Sequence, residues 1–280
     1  DSMQIYRRMD IGTAKATAAE RAAAVHHMID VADPEESYSV ARYVEEAAQC
    51  CEDIFSRGKT PIIVGGTGLY IDSLLSGRDF AGTDGDEGLR ATIAAEYDEA
   101  GGEEMLRRLR EVDPERAEKL HAGDKRRIVR ALEIYRLTGK TITRHDEETR
   151  LLPPRYAAAR IVLNFTRRED LYRRIDRRVE TMAAAGLFEE VEALLASGLS
   201  PACTAMQAIG YKEAVLALRG ELSRSEAVAL IQQASRRYAK RQLTWFGRWE
   251  NTLPILWEEE PDFLAALPVS TNFIYRRRLS

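Results

Sequence analysis

Apolar positions recur with helical spacing from Ser39 to Phe55, where Tyr43, Val44, Ala47, Cys51, Ile54 and Phe55 form one stripe. The run Pro61 to Val64 that follows is short, apolar and β-branched, the pattern of a strand buried on both faces of a parallel sheet. Gly65, Gly66 and Gly68 then impose a tight turn, and LYIDSLL opens another helix. Helix, strand, glycine-rich turn and helix in this order predict an α/β fold. Further strands are predicted at Arg160 to Phe165 (RIVLNF) and near Leu253 to Trp257 (LPILW).

Between these strands the period is helical. Leu89, Ile93 and Tyr97 recur every four residues, Gly101-Gly102 interrupts, and Met105, Leu106 and Leu109 resume the pattern before VDPERA restarts a helix. Asp124 is placed to cap the next helix, which runs through Ile128, Leu132 and Tyr135 and ends at Thr138-Gly139. Residues 85–149 therefore read as an all-helical insertion domain closed by the polar linker RHDEETRLLPPR, with 1–84 and 150–280 forming an α/β core and C-terminal helices. In that C-terminal part, REDLYRRIDRRVETMAAAGL sets Leu171, Ile175, Val179 and Met182 on one face and leaves Arg174 and Arg178 one turn apart on another. A second long helix starts at the capping box Ser223…Glu226 and carries a stripe through Ile231, Ala234, Tyr238 and Trp245.

Composition adds limits rather than a function. With 280 residues, 45% of them hydrophobic and 31% charged, the chain has an ordinary soluble globular make-up. No apolar run approaches the roughly 18 residues of a membrane span and no signal-peptide pattern opens the chain, so a cytoplasmic location is expected. Cys50, Cys51 and Cys203 match neither a disulfide framework nor paired zinc spacings, and Cys51 on the apolar stripe reads as buried and reduced. Adjacent His26 and His27 have poor geometry for sharing a metal and read as structural, with a catalytic role as the alternative. The formal net charge of −4 gives no hint of a nucleic-acid partner, but its distribution does. KRRIVR at Lys125 to Arg130 carries four basic residues, Arg160 to Arg178 carries seven arginines against three acids, and Arg236 to Arg248 carries five basic residues and no acid. Such clusters set local phosphate affinity on an anionic protein because screening limits distant charge to roughly 10 Å; solvated helix faces are the alternative.

The turn Gly65-Gly66-Thr67-Gly68 follows the predicted strand and opens a helix, so backbone N–H groups, a positive dipole end and the Thr67 hydroxyl face one point. Phosphate binding is one reading of this turn; purely steric need for glycine is the other. No GxxxxGK[ST] loop occurs in the 280 residues.

In order, the chain contains DSMQIYRRMDIGTAK, HHMIDVADPEESYS, PIIVGGTGLY, RRIVRALEIYRLTGK, LYRRIDRRVETMAAAGLFEEV, AMQAIGYKE and RYAKRQLTWF. Across essentially its whole length it resembles the tRNA dimethylallyltransferase (tRNA isopentenyl transferase) family. The resemblance implies a P-loop kinase-like parallel sheet flanked by helices with an all-helical insertion domain. It also implies transfer of a dimethylallyl group from dimethylallyl diphosphate to N6 of the adenosine 3′ of the anticodon, with Mg²⁺ and release of diphosphate. The family pattern begins with a strand and a P-loop that supplies most of the diphosphate and Mg²⁺ contacts, and this chain opens instead on Asp1; a segment of that kind is expected upstream. Eukaryotic relatives append a zinc finger whose ligand spacing is not found here, so no structural metal is expected.

The same resemblance assigns site residues. Asp1 matches the family's general base, needed because the adenine N6 lone pair is delocalised and a poor nucleophile until a carboxylate accepts its proton. Thr67 matches the family's threonine at the diphosphate site and is the expected catalytic threonine. Because negative charge develops on the leaving group, Gly65 and Gly66 of the same turn and Arg174, chosen as a cation rather than matched to the family, are the further expected diphosphate contacts. A helix N-cap ahead of Ser2 and Met3 is the alternative role for Asp1. The expected tRNA contacts begin with Asp1, Ser2, Met3, Gln4, Thr67 and Arg90, and continue through Arg126, Arg127, Ile128, Val129 and Arg130. Gln207, Ala208, Ile209, Gly210, Tyr211 and Lys212 form the next group, and Lys240, Arg241, Gln242, Leu243, Thr244, Trp245, Phe246 and Gly247 the last. Of these, Tyr211 and Trp245 could stack on bases, with a core role as the alternative for Trp245. The expected partners are thus a tRNA anticodon stem-loop and dimethylallyl diphosphate, and the protein is expected to act as a monomer. Two rival readings stand beside this one: a P-loop-fold small-molecule or nucleoside kinase moving phosphate from ATP, and a catalytically inactive tRNA-binding fragment.

Overall fold

Parallel strands cannot be joined by a tight turn, and the two strands among the described residues are separated by a long helical stretch. The computed structural model describes residues 1–77 and 86–277. Along the chain run α1 (Ala18–Ala23), α2 (Val40–Ser56) and α3 (Gly68–Ser76), then α4 (Glu87–Ala100), α5 (Gly102–Val112), α6 (Pro114–Glu118), α7 (Lys125–Thr138) and α8 (Ile142–Arg150). Strand β1 (Arg160–Phe165) leads into α9 (Arg168–Ala184), α10 (Leu187–Ala196), α11 (Tyr211–Leu218) and α12 (Arg224–Phe246), and β2 (Thr252–Trp257) precedes α13 (Phe263–Arg277). β1 and β2 pair in parallel, with Arg160 opposite Thr252 and Phe165 opposite Trp257. The chain is therefore helix-rich with a small parallel sheet, consistent with an α/β fold.

The strand expected at Pro61 to Val64 does not form: among the described residues the sheet has only β1 and β2. Ile62 and Val64 are 84% and 79% exposed. β-branched composition favours an extended backbone, but a strand persists only where a neighbouring edge pairs with its N–H and C=O groups, and no described strand lies beside this run.

Two compact units divide the chain, Asp1–Asp72 with Ala157–Ser280, and Ser73–Tyr156, the division falling within α3. The boundary expected near residue 84 lies outside the described residues. In the first unit the core gathers Ile5, Tyr6 and Met9 from the N-terminal loop with Leu187, Phe188 and Val191 of α10, Met206, Tyr211 of α11 and Ile231 of α12. The second unit packs Ile93, Met105, Leu109, Ile128 and Leu132 into its own core.

Local signals explain most boundaries. The Ser223 hydroxyl and Glu226 form the reciprocal capping box of α12, Asp113 caps α6 ahead of Pro114, and Gly139 ends α7 with a left-handed φ of 69°. Asp124 stands at the N-cap position of α7 without capping it, because its carboxylate accepts the His121 N–H instead. The stripe predicted along α12 is buried at Ile231 but only half-buried at Ala234, Tyr238 and Trp245. No helix among the described residues is long and apolar enough to cross a membrane.

Candidate functional site

The N-terminal loop is held by charge and backbone rather than by regular structure. The Lys15 ammonium, its side chain only 2% exposed, donates to the Tyr6 carbonyl at 2.7 Å, to Asp10 at 2.6 Å and to Asp30 at 2.7 Å. Glu190 of α10 accepts the N–H groups of Asp10, Ile11 and Gly12 as well as the Tyr211 hydroxyl. Burial, reinforced by the Glu190 charge, pushes the Tyr211 phenol far up, which keeps it a donor. Gln4 Nε2 donates to the carbonyls of Thr13 and Ala14, so this anchored loop carries the segment Asp1 to Gln4. Arg8, Ala14, Met28 and Asp30 all have left-handed backbone without being glycine, a concentration of strain that the anchoring interactions sustain.

This loop meets the glycine-rich turn. The Thr67 hydroxyl donates to Ser2 Oγ at 2.9 Å, and a Cβ on Gly65 would lie 3.4 Å from the Asp1 backbone nitrogen. The Asp1 carboxylate is exposed and accepts the Met3 N–H through Oδ1 at 2.9 Å, while Oδ2 has no partner among the described residues. No helix follows it, so the N-cap alternative falls away and a local Asp-to-backbone turn replaces it. The leading carboxylate and the glycine-bounded threonine therefore share one surface.

Glycine is needed in this turn for space. None of the three glycines takes a positive φ. A Cβ on Gly66 would lie 1.8 Å from Gln242 Nε2, and one on Gly68 would lie 2.2 Å from the Trp245 ring, both side chains coming from α12. Gln242 also donates to the Gly66 carbonyl at 3.0 Å, and the Trp245 indole donates to Asp72. The steric reading of the turn thus holds for Gly66 and Gly68, and it brings the end of α12 beside Thr67.

The basic residues on and beside α9 and α12 divide by charge compensation. Arg174 and Arg177 share Glu260, Arg167 and Arg173 pair with the buried Asp170, and Arg236 pairs with Asp176. Arg168, Arg178, Arg237 and Lys240 have no acid partner among the described residues. Arg168, Tyr172, Lys240, Leu243 and Thr244 line an open cleft of about 250 Å³. Arg178 and Arg168 were not among the expected contacts, although both lie in the basic cluster visible in the sequence; only the missing acid partner singles them out. Phe246 packs edge-on against Trp249, Arg241 lies over the Tyr238 ring, and Gly247 ends α12.

Several expected contacts are corrected by burial. Tyr211 is fully buried with its hydroxyl on Glu190 and presents no face for stacking a base. Ile128 and Val129 are buried in the second unit, because the helical period that exposes Arg126 and Arg127 turns the next two side chains inward. Gln207 and Lys212 are exposed, Ala208 and Ile209 half-buried, and the Gly210 N–H is capped by Glu213. In the second unit Arg90 and Arg130 converge on Glu133, which is wholly buried, at 3.1 and 2.9 Å, while exposed Arg126 has no acid partner among the described residues.

The reading of Cys51 as buried finds a physical basis. Cys51 is buried and its thiol is pushed up by that burial; His26 is exposed with Nδ1 on the Ala24 carbonyl. No cluster of three or more His, Cys, Asp or Glu suited to a metal occurs among the described residues.

A carboxylate beside a hydroxyl-bearing turn, with uncompensated arginine and lysine on neighbouring helices, is an arrangement for handling phosphate groups and accepting a proton. The chain's residues 4–249 match the model of the IPP transferase family. The chain belongs to that family. It is 44% identical to a tRNA dimethylallyltransferase of Acetivibrio thermocellus over 98% of this chain and 87% of that protein, and 47% identical to tRNA dimethylallyltransferase 1 of Citrifermentans bemidjiense over 95% and 84%. Among solved structures it is similar to the tRNA isopentenylpyrophosphate transferase of Bacillus halodurans, with a TM-score of 0.71, 38% identity, and 99% and 86% of the two chains covered. A eukaryotic dimethylallyltransferase caught acting on tRNA superimposes with a TM-score of 0.79 at 27% identity, covering 100% of this chain and 73% of that one.

Proposed function

We propose that this protein transfers a dimethylallyl group from dimethylallyl diphosphate to N6 of an adenosine in the tRNA anticodon loop. The observation that carries the reading is the Ser2–Thr67 hydrogen bond, which joins the Asp1 segment to the glycine-bounded turn within a chain whose relatives are tRNA dimethylallyltransferases. Family membership favours prenyl transfer over the kinase alternative.

A stacked adenine cannot reach a buried donor, so the base is extruded and its N6 presented to Asp1. As N6 attacks the allylic carbon, the C–O bond to diphosphate breaks and the N6 proton passes to the Asp1 carboxylate, whose Oδ2 is unoccupied by any described group. Thr67 and Arg174 face the departing diphosphate, with Arg178, free of any described acid, as a further cation there. Mg²⁺ would be held mainly by diphosphate and water oxygens, with the hydroxyls of Thr67 and Ser2 as protein oxygens beside them. When bound, it neutralises charge on the diphosphate. Arg168, Lys240 and Thr244 in the first unit, and Arg90, Arg126, Arg127 and Arg130 in the second, are the phosphate contacts to tRNA; the second unit is the helical insertion domain. The parallel pair β1–β2 belongs to a P-loop kinase-like sheet.

The test is Asp1→Asn in the full-length protein, with labelled dimethylallyl diphosphate and an anticodon stem-loop. Single-turnover transfer is expected to fall by about 10²-fold or more, the usual range for losing a general base, with RNA affinity retained. Undiminished transfer would reject Asp1 as the base.

A further inference from the structure

We propose that Asp72 is a positioning residue for prenyl transfer, acting through Thr67 by clamping two indoles of the α12 end against α3. The proposal rests on the functional reading above.

Trp245 Nε1 donates to Asp72 Oδ2 at 2.7 Å and Trp249 Nε1 donates to Asp72 Oδ1 at 2.8 Å, so both carboxylate oxygens are engaged. Gln242 and Trp245 lie one turn apart on α12, and Trp249 follows just after the helix ends at Phe246. Gln242 holds the Gly66 carbonyl, Trp245 closes on Gly68, and the Trp245 and Trp249 indoles together hold Asp72. Thr67 therefore sits inside a stretch gripped before and after it by the same helix end. Its carbonyl accepts the N–H groups of Tyr70 and Ile71, which ties its backbone to the first turn of α3. Rotation of α3 about its axis would draw the Thr67 hydroxyl away from Ser2, and the paired indoles oppose that rotation. A carboxylate is the side chain suited to the task. It offers acceptors on both oxygens, and hydrogen bonds to a charged group are about twice as strong as neutral ones. In the sequence the only signal was an acid within the mostly apolar helix segment LYIDSLL.

The experiment compares Asp72→Asn, Thr67→Ala and their combination, with Trp249→Phe as a second background. A carboxamide accepts one indole N–H but turns its NH₂ toward the other. Asp72→Asn is expected to shift two of the three indole ¹H–¹⁵N resonances and to lower kcat for transfer about tenfold, as loss of one charge-assisted hydrogen bond implies. In the Thr67→Ala background the same change is expected to cost little further, because its effect passes through that hydroxyl. In Trp249→Phe, where one donor is gone, Asp72→Asn is expected to recover most of the loss. Equal loss in both Thr67 backgrounds would reduce Asp72 to a structural residue and overturn the proposal; so would unchanged kcat with shifted resonances, or unshifted resonances. Absence of transfer by the unmodified protein, with the indole pattern intact, would instead remove the functional reading and the positioning role with it, leaving the clamp itself established.

Discussion

Glu190 offers a sharp test of how the N-terminal segment is held. Its Oε2 accepts Asp10 and Ile11 N–H, both at 2.8 Å, and its Oε1 accepts Gly12 N–H at 3.1 Å and the Tyr211 hydroxyl at 2.6 Å. Glu190→Gln keeps the shape but replaces one oxygen by an NH₂ that cannot accept, so two of the four donors lose their partner in either orientation. Hydrogen bonds to a charged group contribute about 1.5–3 kcal/mol each. Asp10 is exposed and Ile11 half-buried, so water recovers part of that, and a net loss of about 2–4 kcal/mol is expected. For a unit of this size that corresponds to roughly 5–15 °C in Tm. All three tryptophans, Trp245, Trp249 and Trp257, lie in the first unit, so their fluorescence follows its melting while circular dichroism follows both units. Because Gln4 hangs on the carbonyls of Thr13 and Ala14, transfer should also slow several-fold at temperatures well below the melt. A Tm shift below about 2 °C, or one seen by circular dichroism and not by fluorescence, would refute the argument.

Gly68→Ala would drive a methyl into the Trp245 ring, which Asp72 prevents from yielding; we expect about 1–3 kcal/mol of destabilisation from overpacking and a shifted tryptophan emission, and an unperturbed Tm would show the ring to be loose. Burial opposes ionisation of Asp30, but hydrogen bonds from Lys15 and Arg21 outweigh it and hold the carboxyl below its ordinary value. Its contribution is therefore complete above about pH 4 and disappears as pH falls through the lowered folded value, so Asp30→Asn should flatten the acid limb of the stability–pH curve; identical slopes in melts from pH 7 to 2.5 would count against the network. Arg126→Ala combined with Arg130→Ala should weaken tRNA binding and reduce the steepness of its salt dependence by about two ions' worth, and an unaltered slope would return that face of α7 to the solvent.

Helices, caps and the helical character of the middle of the chain were legible from local pattern, since each depends on contacts within a few residues: the Ser223–Glu226 box, Asp113 with Pro114, and Gly139 all act where their spacing places them. The missing strand was not legible. Pro61 to Val64 has the composition of a strand, yet pairing is a property of the neighbouring edge. Spacing likewise could not separate the arginines, because whether Arg178 lacks and Arg236 has an acid partner among the described residues depends on which acid a distant helix brings near.

What the amino-acid order determined by itself is the family, the succession of helices and the candidate carboxylate and threonine, because these reside in contiguous motifs. Only the tertiary structure decided that Gly66 and Gly68 are small to admit Gln242 and Trp245, that Tyr211 is buried on Glu190, and that Asp72 faces two indoles. Each of these joins residues far apart in the chain, where the deciding quantities are distance and desolvation, and neither is written in local sequence.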